Sequence, residues 1–290
     1  MTHPNSLGTA RRRRVVDRLM SGLVLVAVAL AIAPLALIIG DVVVQGAPAL
    51  SLSFLTGLPT PVGVQGGGIA NALLGTFVIV GIATLISVPI GVGAGIFFSE
   101  WPEARLSAVS SFMNDVLAEF PSIVVGIFVY VVVVLTTRTF SAIAGAIALS
   151  IIMIPIIART TEESLKIVPI TLREASMALG ISRWKTVIRV VLSTGKSGLA
   201  TGILLAVARA AGETAPLLLT ALGSTYFATT LFQPTAALPL LIYTYGISPF
   251  ADWHARAWGA ALILVLIMLT LNLSVKLFVG RRYSEMRAEI

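Results

Sequence analysis

Two charged side chains of this 290-residue chain stand where charge is expensive. Arg209 and Glu213 interrupt the apolar run GLATGILLAVARAAGETAPLLLT, Gly198 to Thr220. An ionised group at the centre of a membrane helix costs about 2.5–3.5 kcal/mol on insertion scales, so such groups pair or line a wet cavity. Four residues apart, the two are expected to share a helix face. One reading is a structural pair that neutralises itself. The other is an anion site, where the Arg209 guanidinium donates to an oxyanion and Glu213 holds that guanidinium and tempers its affinity, so that the ion leaves again. Thr214 and Thr220 add hydroxyls, Gly212 and Pro216 interrupt the helix, and Gly198 and Gly202 let it pack closely. The residues alone admit both readings.

The elements around this pair follow from composition. The chain is 57% hydrophobic and 11% charged, where soluble domains carry about 25% charge. Its mean hydropathy is +0.98, so its solvent is mostly lipid. A net charge of +7 would suggest nucleic acid in a soluble protein. In a membrane protein it marks cytoplasmic loops, and no nucleic-acid partner is expected. Cysteine is absent and the two histidines, His3 and His254, lie far apart, so neither a metal centre nor another cofactor is expected. No nucleophile–base constellation points to an enzyme. Gly195-Lys196-Ser197 looks like the end of a phosphate-binding loop, but the first glycine of that pattern would fall on Val190. Any ATP must therefore be bound by another chain.

Six membrane helices are predicted, making the chain an all-α polytopic membrane protein. The first covers 19–44, with Pro34 as a kink point. It is too long for the apolar core of a cleaved signal, which sets aside a twin-arginine leader and a cleavage site at Ala47-Pro48-Ala49. A loop over 45–68 follows, then a span over 69–98 whose Gly91 and Gly95 have the spacing for close helix contact. A charged turn, Glu100 to Arg105, leads to a short helix at 107–119 and a span from Pro121 to Leu135. Asp115 and Glu119, near a membrane end, read as structural or gating groups. The fourth span covers 140–158 and the fifth 197–221, separated by the basic stretch 159–196. Residues 222–252 read as an external loop that partly re-enters the membrane, and 256–279 as the sixth span. The chain thus divides into a basic segment 1–18, a first helix and loop 19–68, a main transmembrane domain 69–280 and a tail 281–290. On this count only Arg138 and Arg256 fall opposite the termini, while every other Lys and Arg outside the spans lies on the terminal side. That asymmetry places both termini in the cytoplasm.

Within 159–196 a helical hairpin is predicted. Thr171-Leu172-Arg173-Glu174 fits a capping box after Pro169. Leu172, Ala175, Ser176 and Leu179 fall on one face, and Gly180 supplies a left-handed stop. Ser182 then caps a second helix, Arg183 to about Leu192, with Trp184, Val187, Ile188 and Val191 on its apolar side. A DNA-binding helix-turn-helix is excluded, because few residues tie the segment to membrane spans at both ends. An amphipathic loop on lipid headgroups and a docking element for a partner protein both fit.

The stretch EASMALGISRWKTVIRVVL resembles the EAA loop of ABC-importer permeases: Glu-Ala-Ala, Gly after three further residues, then nine residues and Ile-x-Leu-Pro. Glu174, Ala175, Gly180, Val190 and Leu192 carry the resemblance. Ser176 replaces the second Ala, and Ser193 replaces the Pro, which lets the second helix run on. ARAAGETAPLLLT, with PSIVVGIFVY at 121–130 and ARTTEESLKIVP at 158–169, is similar to the permease family of phosphate-specific ABC importers, over about residues 70–290. The resemblance implies a type I importer fold in a bacterial plasma membrane. Glu174, Ala175, Leu179 and Gly180 would form the coupling helix that docks a cytoplasmic ATPase dimer. Arg209, Glu213 and Thr214 would line the phosphate path. An extracytoplasmic phosphate-binding protein would deliver the ion. One mid-span Arg implies that a second, homologous permease subunit completes the path. A permease for another oxyanion or polar solute, a proton-coupled anion transporter using Glu213, and a membrane anchor that recruits a cytoplasmic protein are the rival readings.

Overall fold

The computed structural model describes the backbone of residues 6–64 and 66–288 and the side chains of residues 13, 16–64 and 66–274. Most basic side chains of the 1–18 segment, and all of the 281–290 tail, lie outside the described side chains. The described residues form helices and connecting turns, joined at one point by a single bridge between Leu222 and Thr235.

Helix α1 (Ser6–Gly46) is longer than the 19–44 span expected, and Pro34 sits within it. Its described side chains from Val16 to Asp41 are all exposed, so it leans on the body only at its end. There a Cβ on Gly46 would stand 2.8 Å from Leu262 Cβ. The expected plain loop over 45–68 is partly helical. Ser51 caps α2 (Leu52–Thr56) by accepting from the Phe54 amide at 3.1 Å, and Phe54 is buried.

The core is a pair of long helices, α3 (Ala70–Glu100) and α6 (Ala142–Lys166), with the bent pair α4 (Arg105–Glu119) and α5 (Ser122–Thr137) between them in the chain. The glycine spacing of α3 does what the sequence predicts. A Cβ on Gly91 would meet Ile157 at 2.8 Å and one on Gly95 would meet Ala158 O at 2.5 Å, so α3 and α6 touch almost backbone to backbone. Ile79, Leu149, Met153 and Ile157 are fully buried around that seam. The 102° bend between α4 and α5 falls at Phe120-Pro121, where the proline lacks an N–H and its neighbour is driven from helical conformation. Asn114 Nδ2 donates to Pro155 O at 3.3 Å and ties α4 to α6. Asp115 and Glu119 are exposed.

The fourth span runs on eight residues past its expected end, into the ARTTEESLK sequence, because Glu162 is held between Arg159 (3.1 Å) and Lys166 (2.5 Å) on the same helix. After α7 (Ile170–Ala178) comes α8 (Arg183–Ala211), one continuous 29-residue helix with a π turn at Val187–Val191. The hairpin's second helix and the fifth span are thus one rod. A Cβ on Gly198 would clash with Ser164, and one on Gly202 with Thr160, so both glycines seat α8 against α6. Short α9 (Ala215–Thr220) and α10 (Leu238–Gly246) follow, and α11 (Ala251–Ala288) closes the chain. The 222–252 stretch is more ordered than a loop. The Leu238 amide donates to Thr76 Oγ1 at 2.8 Å, and Leu238, Leu241 and Tyr245 are buried. Among the described residues, five helices are long and apolar enough to cross a membrane, six when the bent α4–α5 pair counts as one span.

Candidate translocation and coupling sites

The interruption expected at Gly212 and Pro216 is present, and it falls between Arg209 and Glu213. Helix α8 ends at Ala211, Gly212 caps it and α9 starts at Ala215. The cause is Pro216, whose ring has no N–H and would clash with the Gly212 carbonyl in an unbroken helix. Glu213 therefore lies between helices and does not share a helix face with Arg209. The two still approach, with Arg209 Nε 3.7 Å from Glu213 Oε1. That is an ion pair without a hydrogen bond. The Arg209 side chain is 55% exposed and Glu213 17%. Among the described residues Glu213 is the one ion partner of Arg209.

The break is held from behind. A Cβ on Gly126 of α5 would stand 2.7 Å from Pro216 Cα, so α9 lies directly on α5. Thr220 donates to Pro216 O at 2.7 Å and is fully buried, which makes it a helix-closing residue rather than a path group. Thr214 is half-buried at the N-cap of α9, where its side chain makes no cap bond. An exposed guanidinium, a nearby carboxylate and a free hydroxyl thus surround an interrupted helix. Such a set can donate to a small oxyanion without enclosing it.

The second site is the hairpin. Gly180 has φ +77°, and the Ile181 amide reaches Ser176 O (3.3 Å) while the Gly180 amide reaches Met177 O (2.9 Å). This pairing of C″ and C′ amides is the Schellman stop that the glycine predicts. The capping box does not form. Pro169 occupies the N-cap, the helix starts at Ile170 and no side chain caps it. Thr171 is consequently one residue inside. Ser182 stands at the N-cap of α8, also without a side-chain cap bond.

The predicted apolar face divides in two. Ser176 is buried and its hydroxyl lies 2.9 Å from that of Thr186, while Val187 and Val191 are buried too. Leu179 is 81% exposed, and Ile167, Ile170, Trp184 and Ile188 are exposed with it. Glu174, Ala175 and Gly180 are exposed beside them. The inner residues seal the hairpin, and the outer ones offer an apolar surface next to a carboxylate.

Sequence reasoning missed what anchors the hairpin. Glu100, read as part of a charged turn, is the last residue of α3, with its side chain 5% exposed. Its carboxylate accepts from Arg173 Nε and Nη2 at 3.1 and 2.9 Å. A glutamate directly closing an apolar helix was the available signal, but its partner lies 73 residues away.

Residues 87–284 match the family described as binding-protein-dependent transport system inner membrane component. The chain is 43% identical over 267 residues to the phosphate transport system permease protein PstA of Haemophilus influenzae, covering 92% of this chain and 94% of that one. The probable PstA of Methanocaldococcus jannaschii is 38% identical over 269 residues, 91% of this chain and 94% of its own. Among solved structures, the MetNI methionine ABC transporter in inward-facing conformations superposes with a TM-score of 0.60 at 21% identity, over 74% of this chain and 94% of that one. That likeness concerns the fold. With its helix order, interrupted fifth span and hairpin, the chain belongs to the binding-protein-dependent transport system inner membrane component family, in its PstA branch.

Proposed function

We propose that this chain is the membrane-spanning permease subunit of an ATP-driven importer for inorganic phosphate. The observation that carries the reading is the 43% identity to a phosphate permease along 92% of the chain, joined to an exposed Arg209 at a break in a membrane helix. A binding protein delivers phosphate from outside. A cytoplasmic ATPase dimer, which binds the ATP, docks on the α7–α8 hairpin through Glu174, Ala175, Leu179 and Gly180. Both termini lie in the cytoplasm of a bacterial cell, as the positive-inside rule gives. A second, PstC-like permease subunit supplies the other half of the path.

In this mechanism ATP-driven closure of the ATPase dimer pushes the hairpin. The helices rock and the path changes from outward to inward access. Phosphate passes Arg209, Glu213 and Thr214, where the guanidinium and the hydroxyl donate to its oxygens and the carboxylate keeps the contact weak enough to release. The test is ATP-dependent phosphate uptake by the reconstituted complex with its ATPase and binding protein. Sulfate and molybdate added in excess should leave uptake intact. Equal competition from either would point to a broader oxyanion permease, and uptake by the purified chain without ATP would point to a secondary transporter.

A further inference from the structure

We infer that Glu100, Arg173 and Arg183 clamp the carboxyl end of α3 to both helices of the coupling hairpin, so that α3 moves with the hairpin as one body. The inference rests on the hairpin being the ATPase contact.

Arg173 of α7 uses Nε and Nη2 on the Glu100 carboxylate, Nη1 on Val168 O at 2.6 Å and Nη2 again on Leu165 O at 2.9 Å. It therefore ties three elements: α3, the end of α6 and α7. Arg183, the first residue of α8, donates to the Glu100 carbonyl. That carbonyl is among the last of α3 and has no partner within the helix. The same guanidinium lies over the Trp101 ring, 4.9 Å from its centroid. One residue, Glu100, thus receives α7 on its carboxylate and α8 on its carbonyl.

Covalent links join the hairpin to α6 and, along α8, to the fifth span; α3 otherwise meets this assembly only through its packing on α6 and α8. With the clamp, a displacement of the hairpin is delivered directly to the foot of α3. Five residues above the foot the Gly95 contact presses α3 onto α6 at Ala158 and Thr161. A close-packed seam of this kind transmits displacement instead of absorbing it. Arg173 has spent its donors on named acceptors, so it has little left for a transient anion. These are positioning residues for coupling.

The cysteine-free chain allows a direct test in the assembled complex. Spin labels at Ile90→Cys on α3, which is 52% exposed, and at exposed Lys185→Cys on α8 report the spacing of α3 and hairpin by pulsed dipolar spectroscopy. The native distance distribution should be the same without nucleotide and with ATP trapped. In Glu100→Gln combined with Arg183→Gln it should shift between those states, and phosphate moved per ATP hydrolysed should fall at least about fivefold. Arg183 is exposed, so Arg183→Gln alone carries the test should the double variant not assemble. A native distance that changes with nucleotide overturns the clamp, as does a variant with native distances and native coupling. A native complex that moves no phosphate, by contrast, counts against the transport reading and leaves the distances readable.

Discussion

Two arginine–carboxylate pairs in this chain sit at opposite extremes of confinement. Arg173 and Glu100 meet at 2.9 Å, with side chains 17% and 5% exposed, and Arg173 adds two backbone carbonyls. Arg209 and Glu213 stand 3.7 Å apart, with Arg209 55% exposed. In the first pair Arg173 makes four hydrogen bonds and its charge is compensated, as a group that holds shape must. The second keeps its donors free. A charge that is to meet a passing ion, the role proposed for Arg209, has to be left underpaired, and the break in the helix between the two residues leaves it so.

The same substitution should therefore have opposite consequences at the two sites. Arg173→Ala leaves Glu100 buried and uncompensated, at a cost of about 3–5 kcal/mol. We expect loss of the assembled complex, read by its yield and melting temperature. Arg209→Ala removes an exposed side chain and should leave assembly intact while phosphate uptake falls about 100-fold, the scale of losing one charge-assisted anion contact. Normal uptake in Arg209→Ala would remove it from the path. A folded, fully assembled Arg173→Ala complex would erase the distinction between the pairs.

That contrast also marks what was legible in the chain. Local signals read well. Gly91 and Gly95, Gly198 and Gly202, Gly180 and Pro121 each act within a few residues or through the mere lack of a side chain, and each appears where its chemistry puts it. Ser193 in place of the usual Pro left the amide ladder whole, so α8 runs through unbroken. Non-local pairing did not read. Nothing near Glu100 announces Arg173, since their contact depends on how α3, α6 and α7 come together. Where two local rules competed, the stronger won. Pro169 took the N-cap that Thr171 was expected to fill, and Pro216 ended a helix that would have carried Glu213 on the Arg209 face.

A smaller effect separates the rigid end from the soft one at Gly180. Its φ of +77° would cost a β-branched side chain about 1–2 kcal/mol. Gly180→Val should distort the stop between α7 and α8 without touching the Glu100 contacts. Expected is ATP hydrolysis that persists while uptake drops, measured as phosphate moved per ATP. Unchanged coupling would show that the hairpin's exact turn does not matter to the machine.

Glu213→Gln tests the soft pair more finely. Removing the carboxylate leaves Arg209 with its full pull on an anion, so phosphate should bind more tightly and leave more slowly. Half-saturation and maximal uptake rate should fall together, each about threefold. A higher half-saturation concentration would mean that Glu213 positions Arg209 and does not weaken it.

The least effect is expected where the sequence pointed and the fold did not follow. Thr171 fits a capping box by spacing, yet the helix begins at Ile170 and makes no side-chain cap. Its hydroxyl therefore caps no amide of the helix start, and Thr171→Ala should change stability by less than about 0.5 kcal/mol. A working cap would cost about 1 kcal/mol on the same change. Thermal melting of the complex distinguishes the two. A loss on the larger scale would mean that α7 starts at Thr171 when the ATPase is docked, and that the hairpin's first turn, unlike the Glu100 clamp behind it, reshapes on binding.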